Sequence, residues 1–174
     1  MKVNLLAALL LTIAFLSCKK DDTTEQELIT TVVVHLTAAD GSFNQEFEWD
    51  DRDGDGGNAP VIDEIILPAG KTFNCHAHFY DRSKTPEADV TAEIEADNTA
   101  HLLVYAVNGA NLSIAPADAD DNGKPFRLAT TWTTGAISTG TVKITLRHEP
   151  DKDAANPDVT GEVDAAAEFV VKVQ

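Results

Sequence analysis

Asp51, Asp53 and Asp55 alternate through the stretch Asp51-Arg52-Asp53-Gly54-Asp55-Gly56-Gly57-Asn58. They stand at the first, third and fifth places of a loop whose sixth place is Gly56. Calcium loops use this spacing because alternate residues turn their oxygens inward around a hard cation while glycine allows the sharp bend. A second run, Asp118, Asp120 and Asn122 followed by Gly123, repeats the layout. Ile62 and Ala129 occupy the twelfth places, where a full EF-hand has a bidentate Glu, so both runs are calcium-loop-like rather than EF-hands. Asp, Asn and Gly also build turns with no ion at all, and both segments fit that use too. Histidine offers the rival chemistry. His76 and His78 are two residues apart, on one face of an extended segment, and both rings can reach one zinc or copper ion. A third ligand would come from His35, His101, His148 or a carboxylate. His148, on an apolar face at the end of a strand-like run, reads more simply as a histidine at the edge of the core.

Other chemistries find less support. No serine lies in Gly-x-Ser-x-Gly, and Gly54–Gly57 lacks the lysine and following helix of a phosphate-binding loop. A glycosidase needs two carboxylates across a sugar cleft, which a small domain with short loops hardly provides. The expectation is a protein that is not an enzyme. Cys75 is expected to serve as a small buried hydrophobe. With 29 acidic against 13 basic residues and a formal charge of −16, the chain has no basic stripe for phosphates, which excludes nucleic acid as a partner.

These residues must be held by strands. Leu28–Ala38 is β-branched, and in Phe43–Asp50 the residues Phe43, Gln45, Phe47 and Trp49 alternate with polar ones, with Gln45 the flaw in the inward face. Val61–Leu67 and Lys71–Tyr80 follow, the second placing Phe73, Cys75, Ala77 and Phe79 opposite Asn74, His76, His78 and Tyr80. Thr85-Pro86-Glu87 carries helix-start signals, so a short amphipathic helix is expected over Pro86–Asp97. Strands are expected at His101–Val107, Leu112–Ala115, Phe126–Thr134, Thr141–His148 and Glu162–Val173. In the last, Val163, Ala165, Ala167, Phe169, Val171 and Val173 should share a face. Trp49 and Trp132 read as core residues. The pattern predicts an all-β fold, an antiparallel immunoglobulin-like β-sandwich with one short crossover helix, built from residues 28–174.

The start of the chain reads differently. Lys2 followed by the apolar run Leu5–Leu16 is a signal peptide over residues 1–17, and residues 18–27 form a polar tether. Phe15-Leu16-Ser17-Cys18 resembles a bacterial lipobox, which implies acylation of Cys18 and anchoring in lipid. Lys19-Lys20-Asp21-Asp22 resembles the short acidic export signal of Bacteroidota lipoproteins, which implies the exterior face of the outer membrane. Further motifs carry a wider likeness: Asp53-Gly54-Asp55-Gly56-Gly57-Asn58-Ala59-Pro60, Thr130–Ala136, Leu146-Arg147-His148-Glu149-Pro150 and Gly161-Glu162-Val163-Asp164. From about Leu28 onward the chain is similar to a family of small Bacteroidota outer-membrane lipoproteins, some of which carry the label of a type 1 periplasmic-binding domain. That label implies repeated βα units, which this sequence lacks. The expected function is a surface-anchored, non-enzymatic accessory or binding lipoprotein with Ca2+ holding Asp51, Asp53 and Asp55, and Asp118, Asp120 and Asn122. The alternative is a Zn2+ or Cu2+ capture lipoprotein using His76 and His78 beside an outer-membrane uptake receptor. A glycan is a further possible partner.

Overall fold

A computed structural model gives the fold and describes residues 28–54 and 56–174. In chain order its strands are β1 (Thr31–Thr37), β2 (Asn44–Asp50), β3 (Val61–Ile62), β4 (Ile65–Leu67), β5 (Thr72–Asp81) and β6 (Ala88–Asp89). After helix α1 (Thr91–Ala96) come β7 (His101–Asn108), β8 (Leu112–Pro116), β9 (Ala129–Thr134), β10 (Ser138–His148) and β11 (Glu162–Val173). The larger sheet runs β3-β2-β1-β5-β9-β8, with β6 paired to β5, and the smaller runs β4-β11-β10-β7.

This connectivity is immunoglobulin-like. The neighbours β1-β5-β9-β8 follow the A-B-E-D order of a constant-type domain, and β7-β10-β11 follow C-F-G. Two features depart from the seven-stranded constant-type sandwich. The hairpin partner β2 and the short β3 extend the larger sheet beyond β1, carrying the first acidic loop with them. β4 then joins the other sheet parallel to β11. The chain therefore changes sheets between β3 and β4, and the first acidic loop joins β2 to β3 just before that change.

Alternation explains most of the core, although Thr31 and Val33 on the other face of β1 are buried as well. Val32, Val34 and Leu36 of β1 point inward with Phe73, Cys75, Ala77 and Phe79 of β5, all nearly inaccessible. Val142, Ile144 and Leu146 of β10 and Ala167, Phe169, Val171 and Val173 of β11 supply the facing layer. Gln45 is exposed, which removes the apparent flaw in the inward face of β2. The helix is shorter than Pro86–Asp97. Ala88 and Asp89 are drawn into pairing with Asp81 and Tyr80, and the Asp89 carboxylate accepts the Thr91 amide (2.9 Å) where the helix begins. Val90 and Ile94, one turn apart, are buried as their spacing predicts.

Trp132 is wholly buried, its indole N–H donating to Thr130 Oγ1 (3.0 Å) and its ring edge-on to Tyr105. Trp49 is half-buried and packs on the core's margin. Urea unfolding of Trp132→Ala should therefore show a loss of about 4 kcal/mol, and Trp49→Ala clearly less than half of that. Equal losses would contradict the placement of the two rings.

Candidate functional site

The acidic loops come first, since their spacing suggested a cation. Asp51 follows β2, and its amide donates to the Thr30 carbonyl (2.8 Å). Asp53 Oδ2 accepts from the Asn58 amide (3.0 Å) and from Asn58 Nδ2 (2.6 Å), and these bonds hold the carboxyl below its usual range. The carboxylate is wrapped so closely that a Cβ on Gly57 would lie 2.4 Å from Asp53 Cγ. Asp55 lies outside the described residues, as does Cys18.

In the second loop the oxygens are engaged by the protein itself. Asp118 accepts the amides of Arg127 (2.5 Å) and Ala129 (2.6 Å), one on each oxygen. Asp120, buried, accepts the amides of Asn122 (2.9 Å) and Lys124 (2.8 Å) on Oδ1 and the Lys152 ammonium (2.8 Å) on Oδ2. Burial alone would raise the Asp120 pKa, but the Lys152 bond and the backbone donors outweigh it and hold the group below its ordinary value. Asn122 serves this turn through its backbone N–H. Lys152 is itself 8% exposed and also donates to the Asn98 carbonyl (2.7 Å), so the cation at the second loop is a lysine.

The histidines divide into two groups, and neither grouping was evident from spacing alone. His76 and His78 do share the outer face of β5, with ring centroids 4.6 Å apart. His35 joins them because β1 pairs with β5 in a register that sets His35 directly across from His76. The His35 and His78 rings are 6.4 Å apart. His35 Nε2 lies 2.7 Å from Asn44 Oδ1, an oxygen that only accepts, so Nε2 carries the hydrogen. His76 Nδ1 is buried without a hydrogen-bond partner among the described residues, and His76 Nε2 is 3.6 Å from Glu95 Oε1. Burial, with help from neighbouring His76, keeps the His78 pKa below its ordinary value against the pull of Asp89 and Glu46. A neutral imidazole is the form that ligates metal.

His101 and His148 meet elsewhere, as partners across β7 and β10, with rings stacked at 5.0 Å and 11°. Asp164 joins them through a β-bulge. Leu146 pairs with Ala165 and Arg147 with Val163, so Asp164 is the extra residue of β11. The bulge breaks the expected alternation: Val163 does not share the apolar face but is 45% exposed, while the Asp164 side chain is 5% exposed. Among the described residues, no three His, Cys, Asp or Glu side chains converge on one point as they stand. Ring rotation must therefore precede any ligation.

Cys75 is buried, and burial pushes its thiol up to about 12, so it holds no thiolate at neutral pH. A cleft of about 540 Å³ opens between the first acidic loop and β11, lined by Trp49, Asp51, Gly54 and Asp164 among others.

Comparison with family models, curated proteins and solved structures finds no significant match. The chemistry of the chain is therefore read from its own side chains.

Asp120 generates a pH prediction. A carboxyl held below its unfolded value contributes stability that is complete above that value, about pH 4, and lost as pH falls through the folded value. The melting temperature should drop steeply below about pH 4. Lys152→Met, which leaves a buried carboxylate short of its cation, should cost about 3 kcal/mol at neutral pH and flatten this acid slope. An unchanged slope in thermal melts across pH would contradict the pairing.

Proposed function

We propose that this chain is a lipid-anchored, non-enzymatic binding lipoprotein whose β-sandwich captures zinc or copper on the His35–His76–His78 face. The observation that carries this reading is the cross-strand placement of His35 opposite His76, beside His78, with the buried His76 Nδ1 lacking a hydrogen-bond partner among the described residues. Three imidazoles suit zinc and copper better than calcium, which takes oxygen ligands. The three rings are half-buried on the outer face of the sheet, and an off-rotamer adjustment toward a common ion costs about 0.5–1.5 kcal/mol each. Glu46, across from His35 on β2, or Glu95, beside His76, would complete the set. The buried thiol of Cys75 and the engagement of Asp118 and Asp120 in structural bonds favour binding over catalysis.

Acylation at Cys18 would place this face at the outer membrane, where a metal-uptake receptor is the natural recipient. Anchoring would rest on the acyl chains, because a formal charge of −16 gives no attraction to an anionic surface.

Calcium remains a second reading for the first loop alone, where Asp51 and Asp53 both line a shallow cleft of about 360 Å³. At the second loop an added cation would have to displace Lys152. Melting after chelation separates these outcomes: calcium bound at the first loop raises the melting temperature, and Asp53→Ala abolishes that rise.

The main test is equilibrium dialysis of the purified chain against zinc or copper with a competing chelator. We expect micromolar or tighter binding that weakens at least about tenfold in His76→Gln/His78→Gln and in His35→Gln. Binding unchanged in both variants would overturn the proposal.

A further inference from the structure

The group formed by His101, His148 and Asp164 shares no residue with the histidine face. Its position is fixed by three strands at once: β7 begins there, β10 ends there, and the bulge of β11 turns Asp164 inward. Gly161 secures the approach. It adopts φ +74, and a Cβ at that position would lie 2.3 Å from the His148 carbonyl oxygen. All three side chains are largely withdrawn from solvent, with exposures of 6% for His101, 14% for His148 and 5% for Asp164.

The hydrogen-bond pattern decides which nitrogen of His101 is available. Nδ1 lies 3.0 Å from the Asp97 carbonyl, which can only accept, so Nδ1 carries the hydrogen. In the neutral ring the Nε2 lone pair is then turned toward Asp164. A backbone carbonyl behind one ring nitrogen is how metal-ligating histidines are oriented and their tautomer fixed.

The two imidazoles face different oxygens of the Asp164 carboxylate. His101 Nε2 is 3.7 Å from Asp164 Oδ2, and His148 Nδ1 is 3.9 Å from Asp164 Oδ1. Both exceed a normal hydrogen bond. Metal–ligand bonds of about 2.0–2.2 Å set neighbouring ligand atoms about 3.3 Å apart in a tetrahedral site. Each nitrogen is thus about half an ångström too far from the Asp164 oxygen it faces, and ring and carboxylate rotations must bring both nitrogens and one oxygen onto a common ion.

We infer that His101, His148 and Asp164 bind a second, buried transition-metal ion of the zinc class. Two nitrogens and one carboxylate oxygen leave one coordination position for water or a ligand. Asp164 also borders the cleft lined by Trp49 and Asp51. This site stands whether or not the outer face binds metal.

The test isolates it. The full chain carrying His35→Gln/His76→Gln/His78→Gln is titrated with cobalt, then with zinc. We expect one equivalent of cobalt with the visible bands of a four- or five-coordinate ion, displaced by zinc. Adding His101→Gln, or Asp164→Asn, should weaken that binding at least about tenfold. No metal retained by the triple variant overturns the inference, as does retained metal indifferent to both additions. Should Asp164→Asn fail to fold by circular dichroism, the ring-nitrogen NMR shifts of the triple variant decide. Zinc-dependent shifts at His101 and His148 support the site, and their absence overturns it.

Discussion

The pairing of β1 with β5 is the constraint on which the rest depends. Side chains on a strand alternate between faces, so a slip of one residue would exchange every inward group for an outward one. Val32, Val34 and Leu36 must meet Ala77, Cys75 and Phe79 in the core, and that demand fixes the register. The outer face follows without further choice: His35 lands opposite His76, with His78 two residues along. Apolar burial on one side of the sheet therefore assembles the polar chemistry on the other. At the far end of the same face, Arg82 binds Glu48 with two hydrogen bonds (2.8 and 3.1 Å) and lies over Tyr80. The histidines thus share this face with a guanidinium surrounded by the carboxylates of Glu48, Asp50 and Glu87.

A second theme is how so acidic a chain manages its carboxylates. Those most withdrawn from water are satisfied by backbone amides and by a few well-placed cations. Asp118 closes a turn through two amides, and Asp120 is matched by Lys152. Such bonds make the second loop part of the framework. The Asp164 bulge does the opposite, directing a carboxylate toward two imidazoles where regular alternation would have sent it to solvent. Bulges commonly re-aim a side chain in this way beside functional sites.

Much of the fold could be read from period-two alternation. The inward faces of β5 and β10, the burial of Trp132 and Cys75, and the immunoglobulin-like order all agree with the sequence pattern. The helix was read too long because Ala88 and Asp89 carry helix-start neighbours but are claimed by β5, a tertiary effect. The parallel pairing of β4 with β11 leaves no local signature. At the site, the closeness of His76 and His78 was evident from their spacing. The recruitment of His35 was not, because it depends on which strand β1 pairs with and in which register. Asp164 was hidden for a sharper reason: a bulge is an irregularity, and alternation through Val163 and Ala165 places that residue on the wrong face. The spacing of Asp118, Asp120 and Asn122 suggested an inward-turned oxygen cage, yet the same residues equally serve a turn. Lys152, 32 residues from Asp120, engages one of these oxygens in a contact that local spacing does not foretell.

Anomalous diffraction at the zinc edge, from crystals of the chain grown with zinc, tests the central claim most directly. The account predicts an anomalous peak on the outer face of the larger sheet, about 2.0–2.1 Å from ring nitrogens of His35, His76 and His78. A histidine face without a peak, with metal only at the acidic loops, would contradict it.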